Sequence, residues 1–257
     1  MGQRVTGSSS TWIPQWSTVS YNVLSLGRSG RLEQISKYYA KHIVRLQGAS
    51  LPMSQASCQS RVTKYHPWYM WGKRPSPSEK YAGVAIGIPP GMVSKSQMLH
   101  IGPVPIHLQG RVGYLCIKQP SVDLFIMVVY QHVEPHLRKQ RTACMDVVSF
   151  VNRALSQIGN RCLPIILTDG NGRMGLTQTA AGWVLPPDDA VGILGAQPTN
   201  HNGRLWHDML VEQHMCAINT FWSPCPTWYG RVDNVARIDY SFIPQYCKHK
   251  VVSCYTD

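Results

Sequence analysis

The chain has 257 residues, 44% of them hydrophobic, enough for one large domain or two small ones, and no composition break, low-complexity tract or internal repeat divides it. Its 25 Lys and Arg against 13 Asp and Glu leave a net charge of +12, a balance that suits a polyanionic partner such as nucleic acid, although an inert basic surface would give the same count. No apolar run approaches the roughly 18 residues of a membrane helix, which argues against a membrane partner.

The eight cysteines form no C-x-x-C pair and no Cys/His zinc spacing, and no signal peptide is recognisable. Reduced, buried thiols in an intracellular protein are therefore expected.

Residues 1–16 are Ser/Gly-rich and polar and read as a flexible arm, with residues 17–257 as a single domain. The opening MGQRVT fits a loose myristoylation pattern too short to carry weight. From Ser17 a β-branched, aromatic run predicts a strand ending near Asn22. Leu32, Ile35 and Tyr39 follow at helical spacing, and Ile43, Val44 and Leu46 begin a second strand ending at Gln47. Asn22 and Gln47 thus stand at strand C-termini, where α/β sheets assemble their sites. Next, Tyr65, Trp68, Tyr69 and Trp71 beside Lys73 and Arg74 suit either base stacking along a phosphate track or a hairpin face packed on the core. Gly72 to Ser78 reads as a turn and Tyr81 to Ile88 as a strand.

Gly113 to Lys118 and Asp123 to Tyr130 predict an antiparallel pair. Lys139 to Ile158 carries apolar positions at helical spacing, with Gly159 as a C-cap. The run Leu163 to Leu167 then predicts a buried strand ending at Asp169, followed by the loop Gly170-Asn171-Gly172. A carboxylate at the mouth of such a strand needs a cation or donors to stay charged; the bland alternative is an Asx-turn between Asp169 and Asn171. After a loop around Pro186 to Asp189, a helix is expected from about Gly203 with Asn202 as N-cap, then a short strand. TWYG and ARIDYSFIP finish as strands, the second burying Asp239, which must find a partner.

Taken in order, SYNVLSL, IVRLQGA, VVYQHVEPH, LTDGNGR and RIDYSFI resemble motifs of the endonuclease/exonuclease/phosphatase superfamily, in particular the apurinic-endonuclease-like domain of non-LTR retrotransposons. The resemblance covers the chain from about Ser17. It implies an α+β fold, a deoxyribonuclease-I-like four-layer α/β/β/α sandwich of two mixed sheets, and Mg²⁺-dependent phosphodiester hydrolysis. Carried over, Asp169 positions and deprotonates the attacking water, Asn171 holds the phosphate, and Tyr130 donates to a phosphate oxygen. Asn22 and Asp169 attend the metal, and Asp239 orients a catalytic histidine. Asn202, Lys73, Arg74 and Arg173 join Asn22 as candidate phosphate or nucleic-acid contacts. DNA is the expected partner of a nuclear monomer, with a reverse transcriptase fused to it in the parent element.

Two departures stand against that pattern. The family's metal-binding glutamate falls at Gly48, which has no side chain; Glu33 lies on the preceding helix and Glu134 in the Tyr130 loop. The family's Ser-Asp-His motif finds no match after Asp239, leaving His132, or more remotely His66 and His201, as stand-ins. A missing final strand would leave a sheet edge unpaired, the expectation for a truncated or decayed copy. The sequence therefore supports an impaired nuclease, a non-catalytic nucleic-acid-binding remnant, or a phosphatase of the same superfamily.

Overall fold

The computed structural model describes residues 17–52, 58–73, 81–94, 97–133, 135, 138–186, 188–230 and 235–255. The expected arm 1–16, the myristoylation pattern, most of the Gly72–Ser78 turn, Arg74 and Glu134 lie outside them.

The chain begins with β1 (Thr18–Asn22), α1 (Arg31–Tyr38), β2 (Ile43–Gln47), β3 (Gln59–Val62), β4 (Pro67–Trp71) and β5 (Val84–Gly87), which supply a first sheet in the order β1-β2-β5-β4-β3. There follow β6 (Met98–Ile101), β7 (Val112–Ile117), β8 (Asp123–Tyr130), α2 (Arg138–Ser156) and β9 (Cys162–Asp169). Beyond them come β10 (Gly175–Thr179), β11 (Gly182–Val184), β12 (Gln197–Pro198), α3 (His201–Glu212) and β13 (Met215–Ala217), then β14 (Trp228–Tyr229), β15 (Val235–Ala236) and β16 (Asp239–Pro244). The second large sheet has the order β13-β16-β9-β8-β7-β6; β11-β10-β12 and β14-β15 are small sheets in the connections. Both large sheets are mixed, since β1 with β2 and β8 with β9 pair in parallel and their other pairs are antiparallel.

Strand alternation assigns the layers. Along β2, Val44 and Leu46 pack with Leu32 and Ile35 of α1, which covers the outer face of the first sheet, while Ile43 joins the core between the sheets. Along β8, Phe125 packs with Tyr114, whose ring also meets Phe150 of α2. Trp206 of α3 lies 5.6 Å from Phe242 of β16, so both helices cover the outer face of the second sheet. The sheets approach closely at Gly113, where a Cβ would stand 2.2 Å from the Trp71 ring. This is the α/β/β/α order of layers. Among the described residues no helix is long and apolar enough to cross a membrane.

The aromatic stretch divides in favour of packing. Trp68 and Trp71 are fully buried on β4, and the Trp68 indole donates to Ser36 Oγ of α1 at 2.9 Å. Its hairpin partner β3 went unforeseen because QSRV is mostly exposed and lacks an apolar rhythm. The helix ending near Gly159 stops at Ser156, and Gln157 and Ile158 close it with bonds to Ala154 and Leu155, so no left-handed glycine cap forms. None of the eight cysteines is in a disulfide, as expected, but only Cys144, Cys216 and Cys247 are buried and Cys225 is exposed.

Candidate functional site

Five strand ends meet at one end of the sandwich. Asn22 lies opposite Gln47 in the first sheet, and Asp169 lies between Tyr130 and Asp239 in the second. Residues directly opposite in a ladder share a face. Ser20 and Asn22 therefore lie on the same face as Arg45 and Gln47, the face of Ile43 that looks into the inter-sheet core. On the other sheet, Phe125 and Phe242 face the helices, so Tyr130, Asp169 and Asp239, an odd number of residues away along their strands or paired with them, face inward. The predicted Asn22, Tyr130, Asp169, Asn171 and Asp239 are thus brought together.

Asp169 is 2% exposed and accepts from Asn22 Nδ2 through Oδ2 at 2.8 Å and from the Asn171 backbone N–H through Oδ1 at 3.3 Å. That second bond is the Asx-turn, so the pocket and the turn coexist. Asn171 has a left-handed φ of 43°, which asparagine tolerates, and its amide donates to Gln131 O at 2.9 Å. Gln131 N–H in turn donates to Asp169 O at 2.9 Å, stitching the Tyr130 and Asp169 loops together. Below them, Tyr240 accepts from Met174 N–H at 3.1 Å and donates to Arg237 O at 2.8 Å. Arg237 itself, in the Arg-Ile-Asp-Tyr stretch, spends its guanidinium on the carbonyls of Leu194, Ser223 and Cys225. Arg111 lays its guanidinium 4.8 Å from the centre of the Tyr130 ring, a cation–π contact that fixes the phenol.

The least expected member is Arg45, fully buried in mid-strand. Its Nη2 donates to Ser20 Oγ and, with the Gln47 amide turned so that its oxygen faces donors, to Gln47 Oε1 at 3.1 Å. The same Gln47 oxygen accepts from the Asp169 backbone N–H at 3.1 Å, joining the two sheets. Arg45 Nε and Nη1 have no hydrogen-bond partner among the described residues. Burial pushes this guanidinium well below its ordinary value, while Asp239 and then Asp169 hold it up. Burial first, and Asp239 second, push the Asp169 carboxyl well above the usual range, against the Asn171 backbone, Arg45 and Asn22. Asp239 is pushed up to about 6 by burial, opposed by the Thr227 hydroxyl and Arg45.

These residues do not fit the Mg²⁺ ion that the resemblance implies. Such an ion keeps several waters but asks for one or two carboxylates open to it and free of a competing cation. Asn22 Oδ1 already accepts from Leu24 N–H at 3.2 Å, and its nitrogen donates to Asp169. Gly48 has a left-handed φ of 62°, which strains any L side chain, and a Cβ there would lie 2.7 Å from Asn22 Oδ1, so a glutamate would have to displace the Asn22 amide. Among the described residues no group of three or more His, Cys, Asp or Glu is placed to hold a metal. The unmet buried atoms at this end include Arg45 Nε and Nη1, the donors of a cation, together with the acceptors Asn202 Oδ1 and Thr168 Oγ1.

Other expectations meet different fates. Asn202 is fully buried, and its amide donates to His132 O at 2.8 Å and Asn171 O at 3.0 Å; it supports both loops from beneath and cannot touch a ligand. The N-cap of α3 is Asn200, which accepts from Gly203 N–H at 2.9 Å and from Arg173 N–H at 2.9 Å. Arg173 therefore stands on the rim, partly exposed, as does Lys73 at the site end of β4. His66 is buried beside α1 and bonds His42 O at 3.0 Å, at the far end of β4, while His201 opens α3; His132 remains in the Tyr130 loop. Glu33 caps Lys64 N–H at 3.2 Å, away from the site.

No protein-family model matches the chain, and no curated protein matches it by sequence. Solved structures do. An AP endonuclease from Archaeoglobus fulgidus has a TM-score of 0.63 at 13% identity, over 95% of this chain and 92% of that one. The 3′ phosphatase NExo from Neisseria, bound to a product DNA hairpin, gives 0.53 at 17%, over 91% and 89%. The endonuclease domain of TRAS1, a telomere-specific non-LTR retrotransposon, gives 0.52 at 11%, over 90% and 85%. At such identities the likeness is one of fold: the sandwich implied by the motif resemblance is the one observed, and it is shared by nucleases and a phosphatase.

Proposed function

We propose that the chain is a nucleic-acid-binding domain on a phosphodiester-cleaving fold, descended from a retroelement endonuclease and impaired in hydrolysis. The observation that carries this is the state of Asp169. A general base must reach an attacking water, and its lone pairs must be open to the proton. Here the carboxyl is 2% exposed and each oxygen already accepts one bond, which leaves an attacking water little room to reach the remaining lone pairs. What survives is the means to hold a phosphate: the Tyr130 hydroxyl poised by Arg111, the Asn171 loop, rim cations such as Lys73 and Arg173, and a net charge of +12. DNA is the favoured ligand, since the structural neighbours include AP endonuclease and a phosphatase bound to a DNA hairpin.

Fluorescence anisotropy of a labelled duplex across a salt series tests this. Binding whose logarithm falls linearly with the logarithm of salt, and which weakens in Tyr130→Phe and Lys73→Ala, is expected. Salt-independent or absent binding would refute it. The convergence of Asn22, Asp169, Asn171 and Tyr130 supports a second reading, a surviving hydrolase; turnover of the duplex in the same samples would select it.

A further inference from the structure

We propose that Arg45 is the resident cation of this site, standing in for the divalent metal, so that the pocket receives a phosphodiester without metal. The inference rests on the binding function proposed above, but its first test is independent of it. β2 carries the substitution twice over. At its C-terminal end, where the resemblance expects a glutamate, Gly48 contributes no charge and turns into a conformation that L side chains rarely adopt. Three residues earlier, on the inward face, stands a guanidinium in a fully buried strand whose other polar residue is Gln47.

The charge count follows. Three carboxylates with one divalent ion carry one net negative charge; two carboxylates, Asp169 and Asp239, with one guanidinium carry the same. A buried cation is tolerated only if paired and hydrogen-bonded. Ser20 and Gln47 bind Nη2 from within the first sheet, and the two aspartates supply the opposite charge from the second. Gln47 also grips the Asp169 backbone, so the cation and the carboxylate are held on one frame. A divalent ion added to this set would meet a fixed positive charge that cannot leave, beside the very carboxylates that would have to bind it. Arg45 is 0% exposed, so it acts by positioning and neutralising the aspartates and not by touching the ligand.

The test is Mn²⁺ titration followed by the paramagnetic resonance of the free ion, which reads binding without reference to activity. The full chain should show no saturable binding, and Arg45→Lys should match it. Arg45→Met, of similar length but uncharged, should gain one site, and the added change Asp169→Asn should abolish that site. Saturable Mn²⁺ binding by the unaltered chain that disappears in Asp169→Asn would overturn the proposal, as would a folded Arg45→Met chain that binds none. Should Arg45→Met fail to fold, the unaltered chain and Asp169→Asn still decide the matter. Duplex affinity in EDTA should lie within about twofold of that in Mg²⁺, beyond ordinary counterion competition. Duplex binding that appears only with Mg²⁺ overturns this inference; absence of duplex binding in either buffer refutes the proposed function and leaves the Mn²⁺ result standing.

Discussion

Replacing Asp239 by asparagine should make the protein more stable at neutral pH, although it removes a residue of the site. Asp239 lies directly across the ladder from Asp169, on the same inward face. Its carboxyl is raised from 3.8 to about 6, chiefly by burial. A carboxylate whose folded value is raised holds its proton more tightly in the folded chain. Stability is therefore whole below about pH 4, declines as pH rises toward 6, and carries the full penalty above that. A rise of that size corresponds to about 3 kcal/mol at pH 7.5. The attraction to Arg45 is already inside that figure; the asparagine amide keeps an acceptor for the Thr227 hydroxyl but remains a buried polar group, so a net gain of about 1–2 kcal/mol is expected, or roughly 4 °C in melting temperature. Urea titrations of both proteins from pH 4 to 8 should show a difference near zero at the acid end that opens through pH 5–6. A variant less stable at pH 7.5, or a difference independent of pH, would refute the reasoning, since either would mean that the attraction to Arg45 outweighs the burial of the Asp239 charge.

Gly48→Glu does not restore a metal site. The left-handed backbone and the 2.7 Å approach to Asn22 Oδ1 should cost about 2 kcal/mol in thermal unfolding, with no gain of Mn²⁺ binding while Arg45 remains; a variant that binds Mn²⁺ without loss of stability would contradict this. The two asparagines at the start of α3 should separate by mechanism. Asn200→Ala loses a cap, about 1 kcal/mol. Asn202→Ala strips a buried amide of two bonds and should cost more, about 2–3 kcal/mol, by chemical denaturation; equal costs would show that burial of Asn202 contributes nothing.

Much of the site was legible because strand ends announce themselves. Apolar runs stopping at Asn22, Gln47 and Asp169 placed three of its residues, and the order of the motifs supplied the rest of the constellation. Arg45 was overlooked although the signal was present. A charge in the middle of Ile-Val-Arg-Leu-Gln, two residues from Gln47, shares its face, and the rule that made Asp239 notable, that a buried charge must find a partner, applies to it equally. Gly48 read as a simple loss, because a sequence does not reveal that its φ is positive or that a side chain there would have to displace the Asn22 amide. Asn200 and Asn202 are equivalent as N-cap candidates until the helix start is known. Trp68 and Trp71 could not be assigned to core or surface, since that depends on which strands pair with β4 and on what faces it. Arg111 gave no local sign of its role; it reaches Tyr130 through the β7–β8 pairing.

The most direct measurement is nicking of supercoiled plasmid by the purified chain in Mg²⁺ and in EDTA, beside Asp169→Asn. The account predicts that DNA is bound and that relaxed circles accumulate no faster than with Asp169→Asn in either buffer. Nicking that requires Mg²⁺ and vanishes in Asp169→Asn would contradict it, returning Asp169 to the role of base and Arg45 to that of a structural charge.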